Sequence, residues 1–377
     1  MKPLKITNIE TFLIAERYFL VRVETDEDVS GIGEGGFWAY SKSSAAVLET
    51  LKKYLIGKDP LQIEHHWQYI YRYNHFRGAA LGAAISAVDI ALWDIAGKWL
   101  DAPVYQLLGG PTRNKVRLYM HVAGESPDAL AQDALKAVKR GFTAVRLNPF
   151  PPQYENMSHS EMISRCVQRV KTVGESVSEK EDICVDVHGC LSPSDAIVLG
   201  RELEKFHLLF LEDPTVQDSV NAVARVARHI SIPIATGERL HTIFEFKDLL
   251  SCGAAEMIRP DLCLAGGLSQ CKKISALAEA YQVGVVPHNY MGPVSTAACV
   301  QLDACISNFV IQEYTGEDSP PKSEIVKKPL EFKDGYLVVP DVPGIGVELN
   351  EKAFSKYPYK IEELTTTIRS DGSVADV

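Results

Sequence analysis

EDICVDVHG (residues 181–189), LLFLEDP (208–214) and PIATGERL (233–240) decide how this chain is read. Each is a short apolar run ending on a carboxylate, and the three carboxylates, Asp186, Glu212 and Glu238, fall at intervals of 26 residues. One strand-plus-helix unit of a (β/α)₈ barrel has about this length, and such barrels carry their chemistry at the C-terminal strand ends. Three adjacent strands would aim three acids into one mouth. There they repel one another unless a hard divalent cation, most simply Mg²⁺, neutralises them. Three unrelated surface acids are the plainer explanation, but identical placement after three apolar runs makes it the weaker one.

The alternation extends outward from these strands. Apolar runs begin near Lys115, Thr143, Ile183, Leu208, Ile232, Ala255, Val283 and Phe309, eight in all, with helical segments between them. Ser192-Pro193-x-Asp195 is a helix start, with a capping serine and a first-turn proline. Gly141 and Gly253 are placed as helix stops. Eight such units predict an α/β fold, a (β/α)₈-type barrel over residues 115–328. An open doubly wound sheet would give no reason for the evenly spaced acids. The second unit is longer than the rest, through a proline-rich stretch at 148–160. Residues 1–114 read as an α+β capping domain. β-branched runs come first, then a helix near 80–100 marked by Leu81, Ile85, Val88, Leu92, Ile95 and Trp99. The last segment, 329–377, returns to strands and turns and is expected to pack back on the cap.

Composition narrows the function. A chain of 377 residues with 46% hydrophobic and 23% charged residues is that of an ordinary globular protein. A net charge of −10 argues against nucleic acid or an anionic membrane as the partner. The eight cysteines form no CxxC pair and suit reduced buried thiols. The N-terminus has no apolar signal core and no segment is long enough to span a bilayer, so a cytoplasmic protein is expected. Gly31-x-Gly33-x-x-Gly36 matches a dinucleotide fingerprint, but no clean helix start or suitably spaced acid follows it, so no NAD is expected.

The other strand ends are also polar. Arg146 and Asn148 share one face of the second strand, and Asp186 and His188 one face of the third. Asp261 ends the sixth strand, His288 the seventh and Glu313 the eighth. Asp261 and His288 are one barrel unit apart. A carboxylate beside an imidazole fixes its tautomer and stabilises its cation, as a general base requires.

ISAVDIALWDIAGK (85–98) with PVYQLLGG (103–110), followed by DVHG, FLEDP, TGER, RPDLCLAGGLSQ (259–270), PHNYMGP (287–293) and IQE (311–313), resembles the enolase superfamily. The likeness lies in the mandelate racemase subgroup, among acid-sugar dehydratases of the galactonate dehydratase type. DGSVADV (371–377) resembles the family's C-terminal tail, which implies an ordered end. The resemblance implies Mg²⁺, or Mn²⁺, on Asp186, Glu212 and Glu238. It implies His288, oriented by Asp261, as base and His188 as acid, with Glu313 and Asn148 bonding the substrate's carboxylate end. An α-proton would be abstracted, an enediolate formed, and a galactonate-like aldonate converted to a 2-keto-3-deoxy acid. Where related enzymes carry Lys-x-Lys this chain has Arg146-x-Asn148, which leaves a single base and suits dehydration better than racemisation. Arg146 is also the residue of mannonate dehydratases, in which a nearby tyrosine, here Tyr154, would share the work. Other aldonate or aldarate dehydratases, a racemase and a cycloisomerase are the alternatives. Cap residues Trp38, His75 and Arg77, with Arg239 in the barrel, are the further candidates for substrate contact. The implied partners are a small sugar acid and further copies of the chain.

Overall fold

The computed structural model describes residues 4–363 and 366–375. A three-stranded antiparallel meander opens the chain, β1 (Ile6–Ile14), β2 (Tyr18–Thr25) and β3 (Ser30–Gly35). Three helices follow, α1 (Ser41–Leu55), α2 (Ile63–Tyr73) and α3 (Ala79–Trp99), then a single turn, α4 (Val104–Leu107).

The glycines of β3 explain how this layer closes. Gly31, Gly33 and Gly35 face α3, where a Cβ would lie 2.0, 1.9 and 2.4 Å from the carbonyl oxygens of Ala91, Ala87 and Ala83. A strand presents every second residue to one side and a helix about every fourth, so alternate glycines meet successive turns of small residues. Two of the three glycines that match a nucleotide fingerprint, Gly31 and Gly33, therefore serve close backbone packing, while Gly36 lies against Met291 and Cys263. α3 also corrects the sequence reading in one respect. With 21 residues and a mean hydropathy of 1.6 over an 18-residue stretch it is long and apolar enough, by length and composition, to cross a membrane, but it is mostly buried as the core helix of the cap.

The barrel strands are β4 (Lys115–Val122), β5 (Ala144–Leu147), β6 (Asp182–Asp186), β7 (Phe210–Glu212), β8 (Ile234–Thr236), β9 (Met257–Ile258), β10 (Gly284–Val285) and β11 (Gln312–Tyr314). They pair in parallel in this order, and β11 pairs with β4. A parallel bridge from Val285 to Phe309 closes the circle between β10 and β11. The helices between them are α5 (Pro127–Lys139), α6 (His159–Ser176), α7 (Pro193–Leu203), α8 (Val220–Ala227), α9 (Ile243–Ser251), α10 (Gly267–Ala280) and α11 (Pro293–Cys305). The start signal holds where it was read, since Ser192 accepts from Asp195 N. Gly141 and Gly253 stand at positive φ just past α5 and α9.

Residues 329–377 do not all go to the cap. β12 (Phe332–Lys333) and β13 (Tyr336–Val338) form a hairpin that adds to barrel strand β4 through Tyr336 and Arg117. Only afterwards does the chain reach the cap, where Ala15 bonds the backbone of Tyr357 and Lys360. Of the tail motif at 371–377, the last two residues lie outside the described residues. All eight cysteines are free.

Candidate active site

Period-two geometry builds the site. Tyr119, Ala144, Cys184, Phe210, Val286 and Ile311 form a buried apolar layer within the barrel. Two residues further along the same segments stand His121, Arg146, Asp186, Glu212, His288 and Glu313. Apolar side chains plug the barrel, and polar ones occupy the next layer toward the mouth.

Asp186 and Glu212 are register partners on β6 and β7, and both are buried. Arg146 reaches across from β5, with Nη2 on Asp186 and Nε 3.4 Å from Glu212 Oε2. Arg259, fully buried just past β9, lies beneath. Its Nη1 donates to the Tyr119 hydroxyl at 2.8 Å and its Nη2 to Glu313 Oε2 at 3.0 Å. Its Nε is 3.0 Å from Glu212 Oε1 but lacks hydrogen-bond geometry, which leaves that buried carboxylate oxygen without a bond among the described residues. Glu238 lies between two imidazoles: its Oε1 is 3.8 Å from His188 Nε2 and its Oε2 is 3.8 Å from His288 Nε2. Asp261 accepts from His288 Nδ1 at 2.8 Å, which fixes the tautomer and turns Nε2 toward the mouth. Glu313 also accepts from His121 Nε2 at 2.7 Å and from Asn289 N at 2.7 Å.

Asp186, Glu212, Glu238, Glu313 and the adjacent buried Asp213 face two guanidiniums, so negative charge is in excess. Burial pushes the Asp186 carboxyl up to about 7; Arg146 opposes this, while Glu212 and Glu238 reinforce it. Burial also opposes ionisation of Glu313, but Arg259, His288 and His121 hold it well below the usual range. On His288 burial opposes a charge, yet Glu238, Glu313 and Asp261 outweigh it and raise the imidazole to about 10. Burial keeps His188 low, against the pull of Glu238.

Among the described residues no three His, Cys, Asp or Glu side chains are already arranged as a metal cage, because the Arg146 guanidinium bridges Asp186 and Glu212. The donor set nonetheless suits a hard divalent cation. It offers three carboxylates from consecutive strand ends, an unbonded Glu212 oxygen and surplus negative charge.

At the rim, Asn148 turns to the loop that follows its strand. Its Oδ1 accepts from Phe150 N at 2.8 Å, and it lines an open cavity of about 530 Å³ under the proline-rich loop. Tyr154 lines the same cavity, stacked on Phe150 at 4.1 Å. Both are drawn there by local loop contacts that strand alternation cannot foresee. Arg77 folds over Tyr71 and bonds the carbonyls of Tyr71 and Asn74, and His75 is exposed on the same loop. Trp38 packs at a tilt against Tyr290, 4.8 Å between ring centres, and Arg239 donates to the His188 carbonyl at 3.2 Å. His121 and Arg259 escaped the sequence reading. Both lie at strand ends, in YMHV and MIRP, where the rule that found the others applied equally.

Residues 2–109 match the mandelate racemase / muconate lactonizing enzyme N-terminal domain, and residues 129–353 match the enolase C-terminal domain-like family. The chain belongs to the enolase superfamily, in its mandelate racemase subgroup. It is 36% identical to the D-galactonate dehydratase of Xanthomonas euvesicatoria pv. vesicatoria over 99% of its own length and all of that protein. The D-galactonate dehydratase of Ralstonia pickettii is also 36% identical, with the same coverage. The fold superposes with a TM-score of 0.93 on an enolase of Agrobacterium radiobacter solved with Na and L-malate, a candidate galactarate dehydratase (32% identity, 99% of this chain, 100% of that one). A mandelate racemase/muconate lactonizing enzyme-like protein of Rubrobacter xylanophilus gives 0.90 at 31% identity, covering 96% of this chain and 98% of that one.

Proposed function

We propose that the protein is a metal-dependent hydro-lyase that removes water from a sugar acid to give a 2-keto-3-deoxy acid. The observation that carries this reading is the placement of two imidazoles against the two oxygens of one strand-end carboxylate, with the His288 ring fixed by Asp261. His288, oriented by Asp261, takes the proton from the carbon beside the substrate carboxylate. His188 delivers a proton to the hydroxyl leaving the next carbon, so water departs and the enol product becomes the keto acid. With Arg146 where a second base would stand, the site has one base, as dehydration needs. Glu313, held by Arg259, His121 and Asn289 N, presents a fixed carboxylate to the substrate's reacting end, and Arg239 borders the mouth beside His188. Mg²⁺, or Mn²⁺, held by Asp186, Glu212 and Glu238 would supply positive charge to the substrate carboxylate and offset the carboxylate field on His288. Arg146 must release Asp186 and Glu212 for that, and is then free to meet the substrate.

The relatives make a galactonate-like aldonate the first acid to try. Free cysteines suit the cytoplasm, and exposed Tyr73 and Phe76 suit assembly with further copies. A screen of sugar acids with Mg²⁺, read as semicarbazones of 2-keto acids, tests the reading. His288→Asn should abolish both dehydration and deuterium exchange beside the carboxylate, whereas His188→Asn should block dehydration and spare exchange. Exchange without any keto acid in the unaltered protein would instead indicate a racemase.

A further inference from the structure

We propose that two cap side chains, Ser86 of α3 and Trp67 of α2, are positioning residues for the catalytic base. They hold the turn that follows β9 and so keep the Asp261 carboxylate on His288. This rests on the sugar-acid reading above and deepens it, because the cap domain becomes part of the base.

Asp261 stands outside the strand ladder. β9 ends at Ile258, and Asp261 is joined to the next barrel segment by an isolated parallel bridge to His288. Asp186 and Glu212, by contrast, are register partners within their strands. The turn after Asp261 fixes its carboxylate instead. Cys263 N donates to Asp261 Oδ1 at 2.6 Å, which leaves Oδ2 to accept from His288 Nδ1 at 2.8 Å. Leu264 N and Ala265 N donate to the Asp261 carbonyl at 3.1 and 2.7 Å. The chain then passes through Gly266 and Gly267, at φ of +95° and +75°, before α10 begins. Glycine reaches this left-handed region freely but gives up the most conformational entropy when held there. A turn ending in two glycines does not hold one shape unaided.

The cap supplies the restraint. Gly266 is gripped from both sides: its N–H donates to Ser86 Oγ at 2.9 Å, and its carbonyl accepts from Trp67 Nε1 at 3.0 Å. Both side chains are buried, and the Ser86 hydroxyl spends its own hydrogen on Gly82 O at 2.8 Å, which aims its oxygen at Gly266. Gly36 N, just past β3, donates to Cys263 O at 2.9 Å. Ser269 is held by Asp89 Oδ2, which accepts from its N–H at 3.0 Å, and by Trp93 Nε1, which donates to its hydroxyl at 2.9 Å. Close approach is built in too, since a Cβ on Gly82 of α3 would lie 2.6 Å from Leu264 O. The cap therefore grips the residues next to Asp261. When that grip loosens, the Asp261 carboxylate drifts with Cys263 N, the His288 Nδ1 bond lengthens, and Nε2 loses its aim at the carbon it deprotonates.

The test uses Ser86→Ala, which removes the acceptor for Gly266 N, and Trp67→Phe, which keeps an aromatic body and removes the N–H, in the Mg²⁺-loaded full-length enzyme. On the sugar acid that the enzyme dehydrates, each variant should lower kcat about tenfold with KM little changed. Deuterium exchange beside the carboxylate should fall by the same factor, since proton abstraction is the step disturbed. NMR of enzyme labelled in its histidine nitrogens, with His288 assigned by its loss in His288→Asn, should show the Nδ1 proton moved upfield in both variants as its bond to Asp261 weakens. An unchanged kcat in either variant, or a loss carried mainly by KM, overturns the proposal. So does a slowed enzyme whose His288 Nδ1 signal stays in place, because the clamp then serves stability alone. If Ser86→Ala does not fold, Trp67→Phe decides by the same measures. If no sugar acid is dehydrated, that reading fails separately, and the Nδ1 signal, which needs no substrate, decides the positioning: an upfield shift in the variants upholds it, and an unmoved signal overturns it.

Discussion

Replacing Glu34 with alanine asks whether the cap helps to hold the catalytic strand ends. Glu34 lies on β3 between two glycines that abut α3, and its side chain leaves the opposite face and enters the barrel domain, fully buried. Its two oxygens accept from Gly292 N at 2.7 Å and Ser295 N at 2.9 Å, amides at the start of α11 that have no intrahelical partner. From there Ser295 Oγ donates to Asn289 Oδ1 at 2.9 Å, and Asn289 N donates to Glu313 Oε2 beside His288. In Glu34→Ala both amides lose their acceptor inside the protein. At about 1–3 kcal/mol for each orphaned donor, the unfolding free energy should drop by roughly 2–6 kcal/mol, much of the roughly 5–15 typical of a folded protein. Glu34→Gln keeps one acceptor but turns an amide NH₂ toward the other N–H, so it should cost about half as much. Urea unfolding followed by circular dichroism measures the loss. Turnover should fall as well, by roughly tenfold in kcat with KM little changed, because alignment and not binding is disturbed. A Glu34→Ala protein within about 0.5 kcal/mol of the parent, with unchanged kcat, would refute the coupling.

Gly33→Ala should be among the most damaging single-methyl changes in the cap, since its Cβ meets the Ala87 carbonyl oxygen at 1.9 Å. Overpacking against backbone should cost about 3 kcal/mol, and a change in unfolding midpoint no larger than that of a surface Gly→Ala control would count against it. Burial pushes the carboxyls of Glu34 and Asp89 up to about 7, against ordinary values of 4.5 and 3.8. Raised acids bind protons in the folded state that the unfolded chain has released, so their contribution is best below about pH 4, falls from pH 4 to 7 and is level above. Asp89→Asn should therefore gain on the parent by on the order of 4 kcal/mol between pH 4 and pH 8. A gain in the opposite direction in paired urea titrations would refute the assignment. Finally, Mg²⁺ at 100 times its dissociation constant should stabilise the folded state by about 2.7 kcal/mol, seen as a rise in Tm that EDTA reverses. Glu212→Gln should abolish that rise, and a rise that persists would place the metal elsewhere.

What the sequence determined by itself follows from periodicity. Eight apolar runs at regular spacing specify a closed parallel barrel. Alternation along a strand then dictates that residues two apart share a face, so Asp186, Glu212, His288 and Glu313 were legible as inward strand ends. So was the pairing of Asp261 with His288, because adjacent strands in parallel register bring residues one unit apart into contact. His121 and Arg259 obey the same rule but read as ordinary strand residues, since only the carboxylates they bind give them a role. What the tertiary structure decided concerns contacts between segments far apart in the chain. The glycines of β3 look like a nucleotide loop until α3 is laid against them. Arg17 is an unremarkable turn residue until Trp38 and Tyr290 pack against its guanidinium. The contacts of Asn148 and Tyr154 with Phe150 were not legible, because loop backbone has no fixed period to carry a prediction past the strand end. Glu34 shows no sign of function in its own neighbourhood; it acquires one because folding carries it to the first amides of a helix some 260 residues away.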